Sequence, residues 1–284
     1  MENKRYINLT LSVPEELYDL SYGVICDFQT CGIEEKFDEL IISVDYDYWT
    51  DETESNLLEQ LKFIDNSMSL TKKEVVLDKN WNAEFEKNSP LIVINDRLGI
   101  APEWKQKELK TDIKIIINPK MSFGTGDHAT TRLMCRLMEH SVKPGSQWID
   151  AGCGSGVLAI LAIKLGAKSV LAFDYDLWSV ENTQENIMLN DISDEIEIIH
   201  DKIENIKLPP VHGIAANMFS NLLISSMEKF YSSLKDNKGV LILSGILKYD
   251  KPDVIESAET FGFELVSELC EDEWVALQFR INYL

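Results

Sequence analysis

The chain has 284 residues, of which 45% are hydrophobic and 26% charged. That balance is typical of a soluble globular protein and excludes a disordered, collagenous or disulfide-scaffold chain. The length suits two domains. The formal net charge of −21 argues against non-specific binding to nucleic acid or an anionic membrane and favours a basic partner. The acid is unevenly spread: residues 1–78 hold 18 Asp/Glu against six Lys/Arg, a net of −12.

The N-terminus runs directly into alternating residues, without the apolar stretch of a secretory signal. The longest central apolar run, Val157 to Ile163, has seven residues, against about 20 needed to cross a bilayer. A cytoplasmic protein is expected. Cys26, Cys31, Cys135, Cys153 and Cys270 are odd in number and scattered, which supports neither a disulfide framework nor a zinc site.

Ile7, Leu9, Leu11 and Val13 alternate as in a half-buried strand. Pro14-Glu15-Glu16 then opens a helix, with Leu17, Leu20, Val24 and Phe28 at helical spacing up to Gly32. Strand patterns at 33–37 and 40–44, an amphipathic stretch at 57–64 and a strand near 74–77 complete a βαββαβ order. This predicts a small ferredoxin-like α+β domain over 1–78, with no catalytic constellation. Residues 79–90, with Trp81 and Phe85, read as a linker helix ending at Pro90.

From 91 to 284 the pattern changes. Strand-like segments at 91–94 and 113–117 precede a glycine-broken loop. Short apolar runs at 148–150, 170–174, 196–199, 213–216 and 240–243 then alternate with helical stretches, the signature of a doubly wound parallel α/β sheet. The last two strand patterns, 264–269 and 274–281, have no helix between them and form a C-terminal antiparallel hairpin.

The strongest chemical signal is Asp150-Ala151-Gly152-Cys153-Gly154-Ser155-Gly156, placed between an apolar strand and an apolar helix. Its glycines permit a sharp turn and a close ligand approach. Position 157 is Val, where a dinucleotide fingerprint places glycine, so a pyrophosphate ligand is disfavoured. Asp174, 22 residues beyond Gly152, ends the next strand, where a carboxylate can accept hydrogen bonds from both hydroxyls of a ribose. The pair points to a nucleoside without a diphosphate.

These residues resemble motifs I and II of the class I S-adenosyl-L-methionine-dependent methyltransferases. The loop Phe123-Gly124-Thr125-Gly126-Asp127-His128-Ala129-Thr130-Thr131 closely resembles the Phe-Gly-Thr-Gly-x-His-x-Thr-Thr signature of the PrmA family, methyltransferases of ribosomal protein L11. Ala216-Asn217, Leu243-Ser244-Gly245-Ile246-Leu247 and Glu273-Trp274-Val275-Ala276-Leu277 match the same family. The resemblance implies S-adenosyl-L-methionine as cofactor, with contacts from Thr131, Gly152, Asp174 and Asn217. It also implies a substrate-recognition role for the first domain and a basic ribosomal protein, L11, as partner.

Asn217 would act catalytically by accepting a hydrogen bond from the target amine and aiming its lone pair. Lysine side-chain or N-terminal amines are the expected acceptors, and no metal is expected. An ammonium must first lose its proton, for which an apolar pocket lined by Phe123, Met218 and Phe219 is the expected means. Thr130 and Thr131 are placed to cap or open the following helix. His128 reads as a proton acceptor or a loop-ordering residue, whereas His140, His200 and His212 read as surface or strand-end residues without partners. The family's Ile-Asp-Pro after the ribose acid is replaced by Tyr175-Asp176-Leu177, and Asp127 and Trp178 are further candidates to line the site. The alternatives are an N-methyltransferase acting on another protein or a small molecule, and a cofactor-binding regulatory protein.

Overall fold

The computed structural model describes residues 5–25, 28, 30–77, 89–120 and 124–282. The chain divides into two compact units, Met1–Ala83 and Glu84–Leu284. Apart from Ser89 and Pro90, the expected linker helix lies outside the described residues, as does Phe123.

In the first unit, β1 (Arg5–Ser12), β2 (Thr30–Lys36), β3 (Glu39–Asp45) and β4 (Ser69–Leu77) form an antiparallel sheet in the order β2-β3-β1-β4. This is the ferredoxin-like order that the βαββαβ pattern predicts. Leu9, Leu11, Leu40, Ile42 and Val44 are buried from the sheet, because alternate residues of a strand share a face. They pack with Ile25 of α1 (Tyr18–Ile25) and Leu57 and Leu61 of α2 (Asp51–Ile64). Thr50 caps α2 by accepting the Thr53 amide at 3.1 Å, so this helix starts six residues before the apolar pattern. By contrast, α1 stops at Ile25. Leu20 is 59% exposed and Gly32 belongs to β2, against the longer helix expected from spacing.

In the second unit, β8 (Gln147–Ala151), β9 (Ser169–Asp174), β10 (Ile196–His200), β11 (Gly213–Asn217), β12 (Val240–Leu247), β13 (Phe263–Glu271) and β14 (Trp274–Ile281) form one sheet. The order is β10-β9-β8-β11-β12-β14-β13. The first five strands are parallel, and β14 enters antiparallel between β12 and β13. The chain reverses direction across the sheet at β8, and this opens a crevice at the carboxyl ends of the strands, where ligands of doubly wound sheets bind.

The helices are α3 (Ala129–Ser141), α4 (Val157–Lys164), α5 (Leu177–Leu189), α6 (Ser220–Leu234) and α7 (Lys251–Thr260). The sheet between them divides the core into two clusters: Leu133, Met138, Val157, Leu161 and Ala215 lie in one, and Ile149, Ile214, Leu223, Phe230 and Leu241 in the other. No helix among the described residues is long and apolar enough to cross a membrane.

A separate three-stranded sheet, β5 (Ile92–Val93), β6 (Leu98–Pro102) and β7 (Ile113–Ile117), stands ahead of α3. The sequence pattern does not indicate β6. β7 is an edge strand of this sheet, paired parallel to β6 on one side. On its other side it is met by side chains of α5 and its C-cap: Asn190 accepts the Ile116 amide at 3.0 Å and donates to the Ile116 carbonyl at 2.6 Å.

In the main sheet β8 and β11 pack closely. A Cβ on Gly213 would come within 2.4–2.5 Å of ring carbons of the buried Trp148. A fused ring cannot yield locally, and Trp148 also donates from its indole to Ser146 at 3.0 Å. Gly213→Ala is expected to cost about 1–3 kcal/mol through overpacking, read as a lower midpoint in chemical denaturation.

Candidate active site

The carboxyl ends of β8, β9 and β11 and the loop after β10 enclose a cavity of about 600 Å³, within the range usual for small-molecule sites. Gly152–Ser155, Asp174–Asp176, Asp201–Glu204 and Asn217–Phe219 line it, together with Gly124, His128, Thr130 and Thr131 from the loop before α3. The four residues expected to contact a cofactor, Thr131, Gly152, Asp174 and Asn217, therefore share one cavity.

Gly152 turns the chain at the end of β8 with φ of +71°, a left-handed conformation that glycine adopts without penalty. A Cβ there would also meet Met218 at 3.0 Å. The turn is held from the next strand: the Gly152 and Cys153 amides donate to the Phe173 carbonyl at 2.9 and 3.0 Å. Asp174 is 8% exposed. It accepts the Gly154 amide at 3.0 Å on one oxygen and the Asp176 amide at 3.0 Å on the other. An ionised carboxylate offers about four lone-pair sites, so both oxygens keep acceptor capacity.

Two residues of the cavity wall carry orphan oxygens. Thr131 Oγ1 and Asn217 Oδ1 are buried without a hydrogen-bond partner, and both residues line the cavity. An unsatisfied buried oxygen costs about 1–3 kcal/mol, a cost removed by a ligand that donates to it. The orphan oxygens, the glycine cradle and the acid at the end of β9 together fit a nucleoside-bearing cofactor with an amino-acid tail.

The helix after the signature loop is opened by His128, where the sequence suggests the threonines. His128 Nδ1 accepts the Thr130 amide at 3.3 Å, and its ring meets Trp274 edge-on with centroids 4.9 Å apart. Burial, and secondarily the Arg132 charge, hold its pKa below the ordinary histidine value. Arg132 ties the loop down, donating to the Gly126 and Asp127 carbonyls and, through Nε, to Glu271 at 2.7 Å. Glu271 also receives Arg136 at 3.1 Å.

Several expectations need correction. His200 and His212 have partners: His200 Nε2 lies 2.9 Å from the Tyr175 carbonyl oxygen, and His212 Nδ1 accepts the Gln147 amide at 3.2 Å. Both rings brace strand ends. Trp178 is 76% exposed and, like Asp127, is not among the lining residues; Asp176 caps α5 through the Trp178 and Ser179 amides. Met218 and Phe219 do line the cavity, with Phe219 82% exposed at its mouth.

Sequence reasoning missed a row of asparagines on α5. Asn186 accepts the Asn118 amide at 2.6 Å and donates to the Ser155 carbonyl at 2.8 Å, joining the approach to the signature loop to the glycine turn. Asn182 donates to the Asn118 carbonyl at 3.1 Å, and Ser155 Oγ to the Gly124 carbonyl at 2.9 Å. The readable signal is a polar residue every fourth position.

Sequence reasoning likewise assigned no role to Asp150, which is 1% exposed. One oxygen accepts the Ala159 amide at 2.9 Å and the other has no partner. Burial, augmented by the nearby Asp174 charge, raises its pKa to about 7. A folded-state pKa above the unfolded value means that the native state binds the proton more tightly. Stability is then full below about pH 4, falls as pH rises to about 7, and is flat above. Asp150→Asn keeps an acceptor for Ala159 and removes the buried charge. It is expected to stabilise the protein by about 2–4 kcal/mol at pH 8 and by under about 1 kcal/mol at pH 4, measured by denaturation at the two pH values.

Comparison with known proteins agrees with this geometry. The family description "Ribosomal protein L11 methyltransferase (PrmA)" matches residues 26–282. The ribosomal protein L11 methyltransferase of Chlorobaculum parvum is 34% identical over 280 residues, covering 95% of each chain. That of Porphyromonas gingivalis is 40% identical over 208 residues, covering 72% of this chain and 71% of its own. A crystal structure of the ribosomal protein L11 methylase of Lactobacillus delbrueckii subsp. bulgaricus superposes with a TM-score of 0.63 at 31% identity, covering 69% of this chain and all of that one. With a class I methyltransferase sheet, the signature loop in place at its cavity and relatives matched along nearly its whole length, the chain belongs to the PrmA family of ribosomal protein L11 methyltransferases.

Proposed function

We propose that this protein transfers methyl groups from S-adenosyl-L-methionine to lysine side-chain or N-terminal amines of ribosomal protein L11. The observation that carries the site assignment is the convergence of Thr131, Gly152, Asp174 and Asn217 on one cavity, with the oxygens of Thr131 and Asn217 left unpaired. Asp174 would hold the ribose hydroxyls, Gly152 would let the cofactor lie against the turn, and Thr131 and Asn217 would receive donors from its amino-acid end. When bound, S-adenosyl-L-methionine supplies an electrophilic methyl on a sulfonium.

The chain's own residues then have two tasks: to orient the amine and to keep it neutral. Asn217 performs the first by accepting an N–H of the amine on Oδ1, which leaves the nitrogen lone pair facing the methyl group. For the second, an ammonium with an ordinary pKa of about 10.4 is disfavoured by desolvation. Leu158, Phe173, Met218 and Leu222 supply apolar lining, and Phe219 stands at the mouth. Asp176, Asp201 and Glu204 outnumber Lys202 around the cavity, a charge balance that attracts a cationic side chain before it is desolvated.

The acidic first domain, residues 1–78, serves in this reading to recognise the basic ribosomal protein. Its charge of −12 is complementary to such a partner, and electrostatic complementarity mainly raises the rate of encounter.

Titration with S-adenosyl-L-methionine and radiolabel transfer to purified L11 test these assignments. Asp174→Ala is expected to weaken cofactor binding by about 1–3 kcal/mol in a protein that still folds; unchanged affinity would remove Asp174 from the site. Asn217→Ala is expected to reduce turnover more than cofactor affinity, and equal losses would make it a cofactor contact alone. Raising salt from 50 to 500 mM cuts the Debye length roughly threefold. It is expected to slow methylation of L11 far more than it weakens cofactor binding, and a salt-independent rate would exclude electrostatic docking.

A further inference from the structure

Asn217 ends β11 with its amide beside the start of α3. Its Nδ2 donates to Thr130 Oγ1 at 3.2 Å, while Oδ1 is buried and unpartnered. Thr130 is fully buried, and its Oγ1 lies 2.7 Å from His128 Nδ1. The same ring nitrogen accepts the Thr130 backbone amide.

The direction of each hydrogen bond follows from counting protons. The Thr130 backbone N–H can only donate, and its 3.3 Å contact with Nδ1 selects the tautomer in which Nδ1 is unprotonated, its one lone pair shared with the threonine hydroxyl. The short contact between Nδ1 and Oγ1 is then a hydrogen bond only if the threonine hydroxyl donates. That hydroxyl has a single proton. With the proton directed at His128, Thr130 Oγ1 can offer Asn217 only lone pairs, and Asn217 must face it with Nδ2. Its Oδ1 is thereby turned away from Thr130.

We propose that His128 and Thr130 are positioning residues that fix the polarity of the Asn217 amide, holding its carbonyl oxygen toward the amine that is to be methylated. This rests on the reading of Asn217 as the residue that orients the amine. The two ends of an amide are nearly equal in shape, so packing alone does not choose between them; the hydrogen bond from Nδ2 to a proton-poor hydroxyl does. A reversed amide would present N–H groups to the amine lone pair and compete with the methyl group for it.

The surroundings keep His128 in the neutral form that this arrangement requires. Arg132 of α3 stands beside it, its guanidinium bound to Glu271 of β13 and to the Asp127 carbonyl, and Trp274 of β14 packs on the ring. Asp127, on the same loop, is the opposing charge, and burial and Arg132 outweigh it.

Thr130→Val preserves shape and removes the hydroxyl, and Thr130→Ser restores it. The turnover on L11, its KM and the dissociation constant of S-adenosyl-L-methionine are to be measured for both, for Asn217→Ala and for the Thr130→Val/Asn217→Ala double variant. Thr130→Val is expected to lower kcat about tenfold or more with cofactor affinity changed less than about threefold, and Thr130→Ser to recover most of the loss. In the Asn217→Ala background Thr130→Val is expected to add less than about twofold, since residues acting through one another are not additive. Multiplying losses in the double variant, no rescue by serine, or a parallel fall in cofactor affinity would overturn the proposal. The Asn217→Ala variant judges the underlying reading separately: if it keeps full turnover, that reading and this one both fall.

Discussion

A set of buried asparagine side chains holds the two halves of the site together. The glycine turn belongs to the main sheet, and the signature loop is the continuation of β7, which belongs to another sheet. What joins them is α5 and its C-cap. Asn190 serves both polar groups of Ile116, and Asn186 bridges the Asn118 amide and the Ser155 carbonyl. A neighbouring strand would offer the same donors and acceptors, but would align β7 with the sheet. Side chains from a helix satisfy the edge without drawing β7 into the main sheet. Each buried amide left without its partner would cost about 1–3 kcal/mol, so the register between the loop and the turn is narrowly set.

The sheet order explains why this register matters. Reversal of direction at β8 creates the crevice, but a crevice of parallel strand ends supplies only one wall. The opposing wall is the loop, through Gly124, His128, Thr130 and Thr131. The loop is bound at its front by the asparagines, over its middle by Ser155 to Gly124, and at its back by the Arg132–Glu271 pair. The position of this wall therefore depends on three small polar connections, with the Trp274 ring packed against His128 beside them.

The parallel sheet was legible in the sequence because its strands are apolar runs between helical stretches, and the glycine turn and Asp174 because their spacing follows the strand–turn–helix geometry. β6 was not, since all five of its residues are buried, which removes the alternation that marks a half-buried strand, and Gly99 and Pro102 read as breakers. The asparagines of α5 carry the opposite ambiguity: polar residues at helical spacing read as a solvated face, and only the tertiary structure shows that they face backbone. The capping histidine was missed for a related reason, as threonine is the better cap by propensity and the imidazole, packed edge-on against Trp274, takes its place. Asn217 was identifiable by motif, yet its hydrogen-bond direction depends on Thr130 and His128, 87 and 89 residues away in sequence.

The distribution of thiols has a practical consequence. Cys153 lies in the glycine turn itself, yet it is buried, its Sγ 3.4 Å from the Thr183 hydroxyl oxygen, and has its pKa driven well above the usual thiol range by desolvation. Cys135 is likewise buried, its pKa raised to about 12. Because the thiolate is the reactive form, electrophiles and oxidants meet these two sulfurs in their unreactive state. Cys31 and Cys270 are the exposed ones among the described residues, one in each compact unit. Alkylating reagents that reach these exposed thiols therefore leave the sulfur inside the glycine turn untouched; at Cys270, whose own pKa burial and Glu268 raise, they would act next to Glu271, the carboxylate that holds Arg132.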